Sequence, residues 1–260
     1  AQSDNRVRVY RLEKNSGSGV VPRDTAASYS SSPLVCNVDA DDVIEPEYLE
    51  RLMARQKETN ADIVLTRMCW FVESIGDSFV IPSNAYDFNV ILTGREAVIQ
   101  TVGGWEIAGS GALVRKDIWQ KRTKYLDSSF NHRNADEFAT REMLTLADKV
   151  AFADANYHYR RHASSISHDS NRTIESLITD DAIVELMWVK YGRKSCEYKR
   201  ALTSYMYSVL AASRNKNYAN EKLKPHFYKI REYGVFISPF TLLRKLQFLL
   251  PFSLFRLFLR

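Results

Sequence analysis

The run Leu34-Val35-Cys36-Asn37-Val38-Asp39-Ala40-Asp41-Asp42-Val43-Ile44-Glu45-Pro46-Glu47 constrains the fold more than any other stretch of the chain. Leu34, Val35, Cys36 and Val38 form a short apolar segment with strand character, and it ends in three closely spaced acids, Asp39, Asp41 and Asp42. Glu45-Pro46-Glu47 then opens an amphipathic helix. Proline fits the first turn, where its missing N–H is not needed, and acids favour the positive end of the helix dipole. A strand that releases carboxylates at its tip, just before a helix, places hard oxygen ligands at the mouth of a sheet. Like charges this close repel unless something cationic arrives. Mg²⁺ or Mn²⁺, which binds one or two carboxylates together with substrate phosphates, suits the pattern. The competing reading is a solvated acidic loop.

The neighbouring segments continue the alternation. Residues 6–12 alternate charged and apolar, as a half-exposed strand does. Residues 22–31 read as a short helix with Arg23 near its start, residues 46–59 as a helix, and residues 61–71 as a second strand. This order predicts an α/β fold with a mainly parallel sheet and helices on both faces. Thr93 with Glu96 three positions on reads as a helix capping box. Four glycines between Gly103 and Gly111, around Trp105, mark turns where the backbone approaches something closely. Trp105 suits stacking on a sugar face and suits a core equally well. A helix is expected from 134 to 147, with Asp136 and Glu137 at its start, and a strand from 149. After Ile174 the apolar spacing becomes helical over 174–190, 196–214 and 219–233. The expected organisation is an α/β domain over 1–170, a helical region over 171–235 and a basic, apolar tail over 236–260.

Charge is distributed unevenly. Residues 191–260 carry 14 Lys or Arg against 3 Asp or Glu, while the preceding 190 carry 22 against 28. An acidic front and a basic tail imply two surfaces with different partners. The tail is leucine- and phenylalanine-rich, broken by Pro239 and Pro251, and holds Arg244, Lys245, Arg256 and Arg260. It is too interrupted for a membrane span but suits a helix lying on an anionic membrane. A core helix or a dimer interface is the alternative, and the composition argues against a nucleic-acid binder. Cys36, Cys69 and Cys196 are widely spaced with no CxxC, which argues against a zinc site or disulfide framework and fits a reducing compartment. The polar start, Ala1 to Asn5, does not read as a signal peptide.

Four stretches, taken in order, resemble family 2 glycosyltransferases of the GT-A (Rossmann-related) fold, in particular bacterial enzymes of surface-polysaccharide synthesis. Glu13-Lys14-Asn15-Ser16-Gly17 with Pro22-Arg23-Asp24 is similar to the family's Asn-x-Gly loop and following Arg-Asn, with Asp24 in place of Asn. Asp39-Ala40-Asp41-Asp42 is similar to the metal-binding DxDD. Ala135-Asp136-Glu137-Phe138 resembles the Glu-Asp segment that holds the catalytic base, with Ala135 in place of Glu. Tyr157-His158-Tyr159-Arg160-Arg161-His162 with Ser165 resembles the Tyr-x-Tyr-Arg-x-His-x-x-Ser stretch near the diphosphate. The family opens with a strand, a helix and a second strand carrying a nucleotide-binding aspartate, and this chain starts after them.

The resemblance implies an inverting, metal-dependent transferase that moves a sugar from a nucleotide-diphosphate sugar to a saccharide or lipid-linked acceptor. The setting it implies is cytoplasmic, on the inner face of the membrane. Asp136 would be the catalytic base. Asp41, assisted by Asp39 and His162, would hold Mn²⁺ or Mg²⁺. Asn15, Arg23, Asp39 and Arg160 would contact the donor, and Asp42 would cap the following helix or support the metal ligands. A nucleotidyltransferase using strand-end carboxylates and Mg²⁺, and an inactive transferase-like binding protein, are the alternatives.

Overall fold

The computed structural model describes residues 4–16, 19–81, 87–102, 111–122, 135–161, 172–215 and 219–257. Its strands are β1 (Leu34–Cys36), β2 (Val43–Ile44), β3 (Ile63–Phe71), β4 (Phe79–Val80), β5 (Ile91–Leu92), β6 (Leu113–Arg115) and β7 (Val150–Arg160). Its helices are α1 (Val20–Tyr29), α2 (Tyr48–Thr59), α3 (Gly94–Thr101), α4 (Lys116–Lys121), α5 (Ala135–Leu146), α6 (Arg172–Tyr191), α7 (Cys196–Arg214), α8 (Asn220–Tyr233), α9 (Leu242–Leu249) and α10 (Phe252–Leu257). The strands form one sheet in the order β1-β6-β3-β7-β2, with β4 joined to β3 and β5 to β7.

β3 is at the centre because both of its faces are apolar. Side chains alternate across a strand, so Ile63 and Leu65 enter one core cluster while Val64 and Met68 enter the other. The first cluster is covered by α3, α5, α6 and α7 through Val98, Met143, Leu144, Leu177 and Leu202. The second is covered by α2 through Tyr48 and Leu52. Helices therefore lie on both faces, as expected. Asp62 locks the start of β3 to the start of β7. Its carboxylate accepts from the backbone N–H groups of Asp148 and Lys149 at 2.7 and 3.0 Å and from the Arg115 guanidinium at 2.9 Å.

The sheet is mixed rather than mainly parallel. β3 and β7 pair parallel, whereas β1–β6, β3–β6, β3–β4, β2–β7 and β5–β7 pair antiparallel. A parallel pair needs a long crossover, and α3 to α5 supply one between β3 and β7. The short strands need none and fold back alongside. Strand and helix order along the chain does not say which strands become neighbours. Residues 6–12 also depart from expectation. They have no regular structure, and Val7, Val9, Tyr10 and Leu12 are exposed. A strand exists only when a neighbour takes its hydrogen bonds, and no described strand pairs with this segment. Tyr10 instead stacks on Tyr29, ring centroids 4.3 Å apart.

Thr93 and Glu96 form the expected capping box at the start of α3. The three C-terminal helices fall where their periodicity placed them. The tail is not a detached element: Phe240, Phe248, Phe252 and Phe255 are buried in the same cluster as the sheet. Phe227 of α8 meets Phe255 at 4.5 Å, Phe252 at 5.3 Å and Phe248 at 5.7 Å. Arg231 of α8 donates to the carbonyls of Phe248 and Leu250.

A half-buried acid on α6 gives this region a pH dependence. Burial pushes Asp180 up to about 6; the Ser208 hydroxyl pulls it back and the charge of Asp181 pushes it further up. The folded state thus holds this proton more tightly than the unfolded chain does. Stability is gained below the ordinary carboxylate range and falls as pH rises towards about 6. Asp180→Asn keeps an acceptor for Ser208 and removes the half-buried charge. It is expected to raise stability at pH 8 by roughly 1–3 kcal/mol and to change little near pH 4. Thermal melts of the two proteins across that range check this; equal gaps at both ends would overturn it.

Candidate active site

The carboxylate turn, α1, α5 and the end of β7 meet at one place. The backbone N–H of Asp42 donates to the Asp39 carbonyl at 3.1 Å, closing a tight turn after β1. β2 then carries the chain alongside β7, with Val43 opposite His158 and Ile44 opposite Tyr157. Two residues are too few to show a strand period in sequence, yet this pairing sets the acids against the Tyr157–Arg160 stretch.

Tyr157 connects the turn internally. Its hydroxyl donates to Asp42 Oδ2 at 2.6 Å and accepts from the Asp39 N–H at 3.0 Å. The Arg160 N–H donates to Asp42 Oδ1 at 2.9 Å, and Arg160 Nε donates to the Asp41 carbonyl at 3.0 Å. Asp42 is therefore a clasp between the turn and β7. It does not cap α2, whose N-cap position is Glu47. Burial pushes the Asp42 carboxyl up to about 6; its two hydrogen bonds oppose this, and the charges of Asp39 and Asp41 add to it.

Arg23 connects the turn to α5. Its guanidinium contacts Asp39 Oδ1 at 2.5 Å and Oδ2 at 2.6 Å. Burial works against the Arg23 charge, but Asp39 and the nearby charge of Asp136 hold its pKa above the ordinary range. The packing explains this proximity: Val20 of α1 lies in one small cluster with Ala135, Phe138 and Ala139 of α5. Asp136 stands in the first turn of α5. Its neighbour Glu137 pairs with Arg141 at 3.0 Å, and buried Arg141 also donates to the Thr101 carbonyl at 2.8 Å. Two adjacent acids thus have different settings. The charge of Asp136 acts on Arg23, whereas Glu137 anchors a structural arginine.

Gly111 closes the floor. Its φ of +81° suits glycine, and a Cβ there would lie 2.3 Å from Tyr48 Oη and 2.5 Å from the Tyr157 ring. Tyr48 donates to the Gly111 carbonyl at 2.8 Å. The close backbone approach expected of the glycine-rich stretch is realised at this position. Burial pushes the neighbouring Cys36 thiol up to about 12, which makes it a packing residue rather than a nucleophile.

Among the residues named from sequence, Arg23, Asp39, Asp41, Asp136 and Arg160 come together. Asn15 is exposed on the segment before α1. Asp24 faces away from the acids, accepting from Trp119 Nε1 at 3.0 Å and pairing with Arg122. His162 and Trp105 lie outside the described residues. The sequence motif around Tyr157 implies no task for it, and only the fold shows it bracing the turn. For a cation, the donor set is Asp41 at the exposed tip, with Asp39 beside it and held by Arg23. Among the described residues no three His, Cys, Asp or Glu side chains form a ready cage. Hard oxygen donors in that number fit Mg²⁺ or Mn²⁺, which complete their shell with substrate phosphates and water.

Residues 1–122 match the family described as Glycosyl transferase family 2. The chain is 29% identical over 171 residues to the glycosyltransferase GlyG of Streptococcus pneumoniae, covering 63% of this chain and 55% of GlyG. It is 24% identical over 225 residues to TarP of Staphylococcus aureus, a poly(ribitol-phosphate) beta-N-acetylglucosaminyltransferase, covering 84% of this chain and 66% of TarP. The chain thus spans about half to two thirds of these relatives' lengths. Among solved structures, a fragment of S. aureus TarS in complex with UDP-GlcNAc superposes with a TM-score of 0.65 at 16% identity, covering 89% of this chain and 65% of that one. That likeness shows the fold.

Proposed function

Since residues 1–122 match Glycosyl transferase family 2, we propose that the chain is a family 2 glycosyltransferase that transfers a sugar from a nucleoside-diphosphate donor to a hydroxyl of a surface-polysaccharide acceptor, with inversion at the anomeric carbon. The observation that carries this reading is the meeting of the Asp39–Asp42 turn with Asp136 around Arg23. A single displacement needs a base on one side of the anomeric carbon and stabilisation of the departing diphosphate on the other. Asp136 takes the acceptor hydroxyl proton. The acceptor oxygen forms its bond to the anomeric carbon as the bond to the diphosphate oxygen breaks, and the electron pair leaves with the diphosphate. Arg160 presents a guanidinium beside the turn, a geometry suited to phosphate oxygens. Asp41, with Asp39, would hold Mg²⁺ or Mn²⁺. When bound, that ion supplies Lewis-acid neutralisation of the diphosphate charge.

Labelled UDP-GlcNAc, the donor in the TarS complex, incubated with wall-polysaccharide acceptors is the test. Transfer of the label with release of free nucleoside diphosphate supports the reading. Release of pyrophosphate would replace it with nucleotidyl transfer.

The tail supports a peripheral membrane setting. No described helix is long and apolar enough to cross a membrane. α9 instead divides its side chains by type: Phe248 faces the core, while Leu242, Leu243, Leu246 and Leu249 are exposed. Arg244 and Lys245 sit within the same helix. Exposed leucines can enter the acyl boundary while each basic residue adds about 1 kcal/mol near an anionic surface. Replacing the four leucines with glutamine leaves the phenylalanine packing in place. It is expected to abolish flotation with phosphatidylglycerol liposomes without lowering the melting temperature. Equal flotation of the two proteins would remove the membrane assignment.

A further inference from the structure

Beside the end of β7, on the side away from β2, lies a cavity of about 370 Å³ lined by Trp70, Glu73, Asp77, Phe79 and Arg161 among others. Register places Trp70 opposite Phe79. The two rings meet edge to face at 5.5 Å, and Phe79 remains 55% exposed. The Arg161 guanidinium lies 4.5 Å from the Trp70 ring centroid, and its backbone N–H donates to the Phe71 carbonyl at 2.8 Å. Glu73 and Asp77 are carried by the turn between β3 and β4. That turn is held in shape by the Asp77 N–H to the Ser74 carbonyl at 3.1 Å and by Ser78 Oγ to His158 Nδ1 at 3.1 Å.

From these groups we infer that the cavity is a second saccharide subsite, holding a neutral sugar unit of the acceptor remote from the reacting hydroxyl. The identity of the occupant as acceptor rests on the glycosyltransferase reading; the site itself rests on its chemistry. An exposed aromatic ring, here Phe79, suits contact with the C–H face of a pyranose. Carboxylates accept hydrogen bonds from neighbouring hydroxyls, and a guanidinium donates them. Two acids against one arginine disfavour a polyanion, so a polyol-phosphate chain is not the occupant. The position is also right. Arg160 touches the Asp41–Asp42 turn, and the next residue, Arg161, lines this cavity. The two sites thus share the end of one strand, on the order of two strand spacings or about 10 Å apart. A glycan reaching from one to the other would be held at two points.

Binding of neutral hexasaccharides (glucan and chitin oligomers) and of poly(ribitol phosphate) by the whole chain tests this. The comparison is between the parent, Phe79→Ala, and Glu73→Gln with Asp77→Asn. Melting temperatures verify folding, and UDP affinity is measured in parallel. The expected result is a hexasaccharide affinity weakened about tenfold or more in both variants, with UDP affinity unchanged. Failure of every neutral oligomer to bind, binding indifferent to both variants, or binding of poly(ribitol phosphate) that the variants weaken would overturn the subsite. Loss of UDP binding in the parent would overturn the donor reading instead, and leaves the saccharide measurement valid on its own.

Discussion

Asp136→Asn is expected to leave donor binding intact and to lower turnover by a factor on the order of 10²–10⁴, the range for loss of a general base. The isosteric amide cannot accept the hydroxyl proton but still fits the first turn of α5. Glu137→Gln is the informative control. Glu137 is the partner of buried Arg141, whose guanidinium reaches the Thr101 carbonyl. Weakening that pair leaves a buried charge less well satisfied, so the cost falls on stability, roughly 1–3 kcal/mol. Single-turnover rates measured per folded molecule, with melts alongside, separate the two. A larger loss of rate from Glu137→Gln would move the base by one residue.

Asp41→Ala is expected to abolish the metal-dependent part of nucleoside-diphosphate affinity while the fold persists. The three acids are not equivalent, and the structure says why. Asp39→Ala would leave half-buried Arg23 without its closest partner, and Asp42→Ala would take the acceptor from Tyr157 and from the Arg160 N–H. Both changes confuse binding with folding. Asp41 stands exposed at the tip, and its carbonyl, which the substitution retains, is the group that meets Arg160. Titration calorimetry of UDP with and without Mn²⁺ decides the matter. The same metal-dependent gain in mutant and parent would remove Asp41 from the metal site.

The division between what was legible and what was not follows the range of the forces involved. Local signals were readable because their physics is local. The apolar run into Asp39, the Thr93–Glu96 capping box and the 3.6-residue periodicity of α6, α7 and α8 each depend on residues within a turn or two. The candidate residues Arg23, Asp39, Asp41, Asp136 and Arg160 were likewise nameable from short motifs. Their relations were not. Asp39 and Arg23 are 16 positions apart, and Asp42 and Tyr157 are 115 apart. No period links such pairs.

Residues 34–49 by themselves determined that a strand would end in acids ahead of a helix, and the order of segments determined an α/β chain with helical structure after it. The tertiary structure alone decided which strands pair, so the sheet is mixed. Pairing on β7 made Asp42 a clasp rather than a cap, and the packing of α1 against α5 brought Arg23, paired with Asp39, within reach of the charge of Asp136. It also sorted α9, with Phe248 inward and Leu242, Leu243, Leu246 and Leu249 outward, because burial depends on which surface a helix meets and not only on how hydrophobic it is.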